Sequence, residues 1–309
     1  MSLISQYAEI LYENLNKEKN EDQILDIIKK TDQKNRILIS QYYNAKYNSS
    51  LFDDINSKIG GDFGYCASQL FLSNLEFCVH HLKKGIEKSN ECTIEQLTSK
   101  TMEELKLIED TYNKLTGKDL KNDIIKTYKG CVGKNLVNLW FTKRIFKLKP
   151  DKKECENYAN ILAKNNPEIW VEKENIFKDI FINRSPEELI VIARYYLKIT
   201  GRNLLDDIEK NTRGNVKILL KEILYNNIMP YELFTDKIYL AMKGAGTDEE
   251  ALSRILVSRC ELDMDEIRNT YKAKYKVSLK EDIIDDTSGS YQVFIFRKNN
   301  IKQYYIYQQ

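Results

Sequence analysis

Apolar residues return along this chain at the spacing of helix faces. Ile24, Leu25, Ile27 and Ile28 form one stripe, and Leu252, Ile255 and Leu256 form another, followed after a turn by Ile267. Residues three and four apart share one side of an α-helix, so such stripes predict amphipathic helices laid on a core. Stripes of this kind build a scaffold rather than hold a cofactor. The chain as a whole reads as all-α.

The helices fall into a repeating order. Short helix-to-helix turns are read at Lys30-Thr31-Asp32, Ser99-Lys100-Thr101, Asn183-Arg184-Ser185 and Ser258-Arg259-Cys260. At one fixed interval after each stands a tyrosine (Tyr43, Tyr112, Tyr196, Tyr271), at a second a leucine (Leu51, Leu120, Leu204, Leu279) and at a third a glycine (Gly61, Gly130, Gly214, Gly289). An acidic residue followed by isoleucine also recurs, as Asp54-Ile55, Asp123-Ile124, Asp207-Ile208 and Asp282-Ile283. Intervals kept through four copies identify internal repeats, in which one helical unit is used again and again. We place them at residues 3–72, 73–146, 147–225 and 226–300. The longest gap, between the second and third, holds the basic connector TKRIFKLKPDKK (142–153). It is read first as a solvated linker and second as a headgroup-binding patch.

Composition narrows the class further. The chain has 309 residues, 42% of them hydrophobic, with only 4 prolines and 12 glycines against 30% charged residues, which suits long helices with solvated faces. Its 48 basic and 46 acidic residues leave a formal charge of +2, so no global field draws it to nucleic acid or to an anionic bilayer, and membrane attachment needs a local device. No apolar run has the length of a membrane span, and the start, MSLISQYAEILYENL, lacks the charged and apolar regions of a signal peptide, so a cytoplasmic location is expected. Cys66, Cys78, Cys92, Cys131, Cys155 and Cys260 lack zinc-site spacing and are expected to be buried free thiols. His80 and His81, adjacent on a helix, point to different faces and are taken as structural or exposed. Trp140 is expected in the core.

The stretch with chemistry in it is Met242-Lys-Gly-Ala-Gly-Thr-Asp-Glu-Glu, between two helices, with Asp286 and a Thr-Ser-Gly turn further on. Gly244 and Gly246 permit backbone angles that bring the carbonyls of Met242, Gly244 and Gly246 towards one point, and Thr247 with Asp248 can cap the next helix. A hard cation such as calcium needs six to eight oxygens, and a carboxylate from Asp286 would complete such a set. The alternative is a helix C-cap and an N-cap with no ion at all.

The string MKGAGTDEEALSRILVSR, with the carboxylate and Thr-Ser-Gly after it, resembles the fourth repeat of an annexin. That resemblance runs through roughly residues 5 to 300. It implies five helices per repeat, four repeats in a slightly curved disc, and calcium loops on the convex face. It also implies the ligands: main-chain oxygens of Met242, Gly244 and Gly246 with the Asp286 carboxylate at a principal site, and Thr247 with Glu249 at a minor one. One carboxylate among neutral oxygens leaves the ion positively charged and open to water or a lipid phosphate, with an affinity on the order of 0.1 mM or weaker without lipid.

The other copies depart from the family at their loops. The position of Asp286 is held by Lys58, Thr127 and Asn211. In place of Gly244, Gly246 and Thr247 stand Asn16, Glu18 and Lys19 in the first copy, Gly85, Glu87 and Lys88 in the second, and Ile169, Val171 and Glu172 in the third. Lysine repels a divalent ion, while threonine and asparagine offer neutral oxygens only. Glu18, Glu21, Glu87 and Glu172 remain for some other, weaker geometry. Trp170, in the third loop, is weighed evenly between a membrane-facing residue, as in some annexins, and a packed one.

The expected function is calcium-dependent binding to anionic phospholipid membrane through the fourth repeat, helped by neighbouring molecules or the connector, on the cytosolic face of membranes. The alternative is a structural annexin tied to cytoskeleton or flagella with little calcium dependence, as the resemblance to divergent protist annexins such as the alpha-giardins suggests. No nucleophile with its base, P-loop or dinucleotide fingerprint is found, so no enzymatic role is expected. The first helix begins within a few residues of Met1, so no long regulatory arm is expected; the tail Lys298 to Gln309 carries no readable role.

Overall fold

The computed structural model of the chain describes residues 2–141, 149–244, 246–289 and 291–292. Residues 142–148 of the basic connector (142–153) and the tail lie outside these residues, while Asp151 caps the helix that Lys152 and Lys153 open, so the connector's end is helix rather than linker. Among the described residues the chain is helical, with no strand.

The first repeat holds α1 (Leu3–Asn16), α2 (Glu21–Lys30), α3 (Gln33–Tyr47), α4 (Leu51–Lys58) and α5 (Gly61–Gln69). The second holds α6 (Asn74–Lys88), α7 (Cys92–Thr98), α8 (Met102–Thr116), α9 (Leu120–Thr127) and α10 (Cys131–Asn138), closed by a 3-10 turn over Leu139–Phe141. In the third, α11 (Lys152–Ala163) is followed by α12 (Pro167–Glu172), α13 (Glu174–Ile176) and a π-helical turn over Phe177–Ile182, then α14 (Pro186–Thr200), α15 (Leu204–Asn211) and α16 (Gly214–Ile228). The fourth begins α17 (Pro230–Met242), α18 (Glu249–Arg259), α19 (Met264–Tyr275) and α20 (Leu279–Asp286).

The recurring residues each do a physical task. Leu51, Leu120, Leu204 and Leu279 open the short fourth helix of each repeat and are buried. Gly61, Gly130, Gly214 and Gly289 all have positive φ, between 52 and 76°, where a side chain is strained, so glycine suits the turn that follows each fourth helix. The tyrosine and the acidic residue prove to be partners: Tyr43, Tyr112, Tyr196 and Tyr271 donate from their hydroxyls to Asp54, Asp123, Asp207 and Asp282, tying the third helix of each repeat to the fourth. Asp32, Thr101 and Ser185 cap α3, α8 and α14 through their side chains, the last two in full capping boxes with Glu104 and Glu188.

By its packing the chain divides into two units, Met1–Phe77 with Phe234–Gln309, and Cys78–Leu233. The first joins repeats one and four in one core, which includes Ile24, Leu25, Ile27, Ile28, Leu252, Ile255, Leu256 and Ile267. Here the fourth repeat lacks a cap, since Cys260 stands where the others have Asp, Thr or Ser. Its helix therefore starts later, at Met264, and the unwound turn frees Glu261, whose carboxylate accepts from Gln33 N at 3.0 Å and from the buried Arg36 guanidinium. In the second unit α7 packs on α16, and Asn135 reaches across from α10 to the Val171 carbonyl at 2.7 Å. Trp140 is buried there, its indole N–H on Leu105 O. Four of the six cysteines are buried, while Cys131 and Cys260 are partly exposed; His81 is buried.

Candidate metal centre

The fourth repeat brings the loop and the distant carboxylate together. α17 ends at Met242 and α18 starts at Glu249, and the chain between them is closed by Asp248 N donating to Ala241 O at 2.7 Å. Gly244 and Gly246 take φ of +129 and +108°, and a Cβ at either would meet nothing within 4 Å, so glycine is needed for the backbone angle rather than for room. Asp286 is the last residue of α20. The Thr247 hydroxyl donates to its Oδ2 at 2.6 Å and lies 2.9 Å from its carbonyl oxygen. Asp286 is thereby fixed beside the glycine loop, partly exposed.

What surrounds this pair keeps it in place. Asp248 caps α18 by accepting from Ala251 N at 2.9 Å, which commits its carboxylate to the helix. The buried Tyr291 hydroxyl shares a 2.8 Å hydrogen bond with Ser253 and donates to Glu249 O at 3.3 Å, and burial pushes its pKa well above the usual phenol value. Gln292 holds Ile284 O and Thr287 O, both at 2.7 Å, and so fixes the turn after Asp286. None of the hydrogen bonds among the described residues takes up the carbonyls of Met242, Gly244 or Gly246. No three acidic, histidine or cysteine side chains gather among those residues, so an ion here would be held by main-chain oxygens and one carboxylate. That donor set fits calcium, a hard cation satisfied by neutral oxygens, better than a transition metal.

The first repeat corrects the register read from the sequence. Lys46 pairs with Glu9 over 37 residues, and its counterpart Lys274 pairs with Asp236 over 38. Tyr12 stacks on Tyr47 at 3.7 Å as Tyr239 stacks on Tyr275 at 3.9 Å. Matched in this way, α1 and α17 align Leu15 with Met242, and the loop of the first repeat is one residue shorter. Asn16, Glu18 and Lys19 thus match Gly244, Gly246 and Thr247 only when counted back from the second helix. The shortened loop is closed by the Asn14 side chain, which holds Asn20 N at 2.7 Å and Asn20 O at 2.9 Å.

In the second and third repeats the loop is replaced by helix. Gly85, Glu87 and Lys88 lie on α6, and Gly85 O accepts from Asn90 N at 3.1 Å. A Cβ at Gly85 would meet Thr93 Oγ1 at 2.5 Å and Thr93 N at 2.8 Å, so this glycine survives because two backbones meet there. Ile169, Val171 and Glu172 lie on α12; Ile169 O accepts from Lys173 N at 3.0 Å and Val171 O from Asn135. Asn211 turns back on its own helix to Asp207. Trp170, weighed as a membrane contact, is 0% exposed. With its loop wound into helix, the indole turns inward, stacks on Phe181 at 6.0 Å, meets Tyr196 edge-on at 5.9 Å and donates to Leu162 O and Asn165 O.

Comparison with known proteins agrees with this fold. The family model for annexins matches residues 6–67, 78–139, 169–223 and 234–296. Human annexin A3 is 30% identical over 281 residues, covering 90% of this chain and 87% of that protein. Annexin A5 of Cynops pyrrhogaster is 31% identical over 276 residues, 88% of this chain and 85% of its own. The solved structure of annexin III superposes with a TM-score of 0.85 at 30% identity, covering 97% of this chain and 94% of that one. Calcium-bound alpha-14 giardin shares the fold, with a TM-score of 0.78 at 17% identity over 96% of this chain and 99% of its own.

Proposed function

The chain belongs to the annexin family, and from that premise we propose that it binds anionic phospholipid membranes through one calcium ion in its fourth repeat. The family is one of calcium-dependent phospholipid-binding proteins, generally without enzymatic activity. The observation that carries the proposal is the 2.6 Å hydrogen bond between Thr247 and Asp286, which sets the carboxylate beside the glycine loop across 39 residues of chain. Met242, Gly244 and Gly246 would hold the ion by their carbonyls and Asp286 by its carboxylate, with Thr247 and Glu249 at a minor site. A bound calcium supplies positive charge to lipid phosphate. The protein's own residues orient it: Thr247 aims the carboxylate, and Tyr291 and Gln292 hold the two segments that meet there.

Attachment on the cytosolic face of a membrane belongs to this reading. Among the described residues no helix is long and apolar enough to cross a bilayer. Liposomes rich in anionic lipid should sediment the protein as calcium is titrated, release it on chelation, and leave Asp286→Ala in the supernatant. A parent protein indifferent to calcium, or one matched by Asp286→Ala, would end the proposal.

The filled loops of the first three repeats favour a second reading beside it, in which protein contacts with cytoskeleton, or between copies, replace lost calcium sites. Cosedimentation with polymerised microtubules in the presence of chelator tests it.

A further inference from the structure

The clue lies in the first repeat, at the position that Asp286 holds in the fourth. Lys58 is the last residue of α4, as Asp286 is the last of α20. Its ammonium donates to Asn16 Oδ1 at 3.0 Å and lies 3.2 Å from Asp54 Oδ1. Asn16 ends α1 at the edge of the shortened loop, and its own amide N–H donates to Tyr12 O at 2.7 Å, which leaves the amide oxygen facing the lysine. Asp54 in turn uses its other oxygen for Tyr43 at 2.6 Å and Ser49 at 2.9 Å. An ammonium group is a compact charge with three donors and no acceptor. Here it gathers oxygens from a loop edge and a helix, as a cation would.

We propose that Lys58 is a built-in cation: it ties the end of α4 to the first interhelical loop through Asn16 and keeps that junction closed at any calcium level. The sign of the residue is inverted relative to Asp286, and the oxygens it collects are side-chain rather than main-chain. The Asn14 brace works to the same end. In the matched register its counterpart is Ala241, whose methyl cannot hold its loop, so the first repeat carries side-chain ties where, among the described residues, no hydrogen bond takes up the carbonyls of Met242, Gly244 and Gly246. The inference stands whether or not the fourth repeat takes up an ion, because it concerns contacts made by the protein alone.

Amide hydrogen exchange of the full chain, followed by mass spectrometry over residues 14–22, tests it in calcium and in chelator. In the parent, calcium should change the exchange of this segment no more than it changes the rest of the first repeat. Lys58→Met, which keeps the stem and removes the charge, should speed exchange of that segment by about three- to tenfold in both conditions, the range expected for losing a hydrogen bond to a partly exposed charge. Asn16→Ala should do the same from the loop side, and the double variant should add nothing, so a folding defect in either single variant would still leave the other to decide. Unchanged exchange in both single variants would overturn the proposal. So would calcium slowing this segment in the parent by more than it slows the rest of the first repeat.

Discussion

A buried phenol beside a carboxylate joins the third and fourth helices in every repeat, and it sets how the molecule answers to pH. Burial first, and then the hydrogen bond to aspartate, push Tyr43, Tyr112 and Tyr271 well above the usual tyrosine value. The folded state then keeps protons that the unfolded chain loses above about pH 10, so stability present below that pH should fall as pH rises beyond it. At the acid end burial pulls Asp54 upwards, but hydrogen bonds from Tyr43, Ser49 and Lys58 outweigh it and hold its pKa below the usual carboxylate value. Its contribution is present above about pH 4 and disappears as pH falls through the lowered folded value. Tyr271→Phe, which strips a hydrogen bond from Asp282, should cost about 1.5–3 kcal/mol. Tyr43→Phe should cost less, because Ser49 and Lys58 remain on Asp54; urea unfolding of the two variants at neutral pH checks the order. The sequence recorded both partners of this clasp, but as separate recurrences. Only the backbone reveals that a fixed interval means a hydrogen bond. Trp170 shows the opposite failure: an indole looks alike on the page whether it faces lipid or core, and the winding of its loop into α12 decides.

Helix ends explain which elements could be read and which could not. The third helix of each repeat stops at a left-handed residue: Asn48 (φ 48°), Gly117 (φ 68°), Gly201 (φ 70°) and Lys276 (φ 65°). Glycine adopts this conformation freely, asparagine tolerates it, and lysine meets a steric penalty of about 1–2 kcal/mol. Lys276→Gly should therefore stabilise the protein by about 0.5–1 kcal/mol, the strain relieved less the added freedom of the unfolded chain. A lower midpoint in thermal unfolding would show that the lysine has a compensating contact. Starts of helices were legible where Asp32, Thr101 and Ser185 supply caps, since cap residues act locally. The start of α19 was not. Cys260 cannot cap, and the delay to Met264 becomes visible only with Glu261 seated on Gln33 and Arg36, a partnership spanning 228 residues in one bond and 225 in the other. The first loop was misregistered for a related reason: a one-residue deletion between two helices leaves both stripes intact, and only the Tyr12–Tyr47 and Lys46–Glu9 pairs betray it.

For the molecule as a whole, the proposed calcium site belongs to one repeat of the four. The class and the fourfold order were legible because helical periodicity and repeated intervals are properties of the chain itself, while the resemblance pointed to Asp286 as the partner of the glycine loop, beside which the Thr247 hydroxyl holds it. What the chain did not reveal is how the remaining loops were closed: by helix in α6 and α12, and by Asn14 and Lys58 in the first repeat. A ligand that binds only the folded state stabilises it by RT ln(1 + [L]/Kd). With a dissociation constant of about 0.1 mM, 1 mM free calcium should add about 1.4 kcal/mol. The gain belongs to the unit of repeats one and four, which contains Gly246 and Asp286. Hydrogen exchange should therefore slow most in peptides carrying those two residues, and differential scanning calorimetry should register a rise in the unfolding midpoint that Asp286→Ala removes. Magnesium at the same concentration should do much less, because it gives up its water reluctantly and wants a tighter octahedron than a loop of main-chain carbonyls provides. A shift of equal size with magnesium, or one that persists in Asp286→Ala, would mean that divalent ions act elsewhere on the surface and that the glycine loop is only a helix cap.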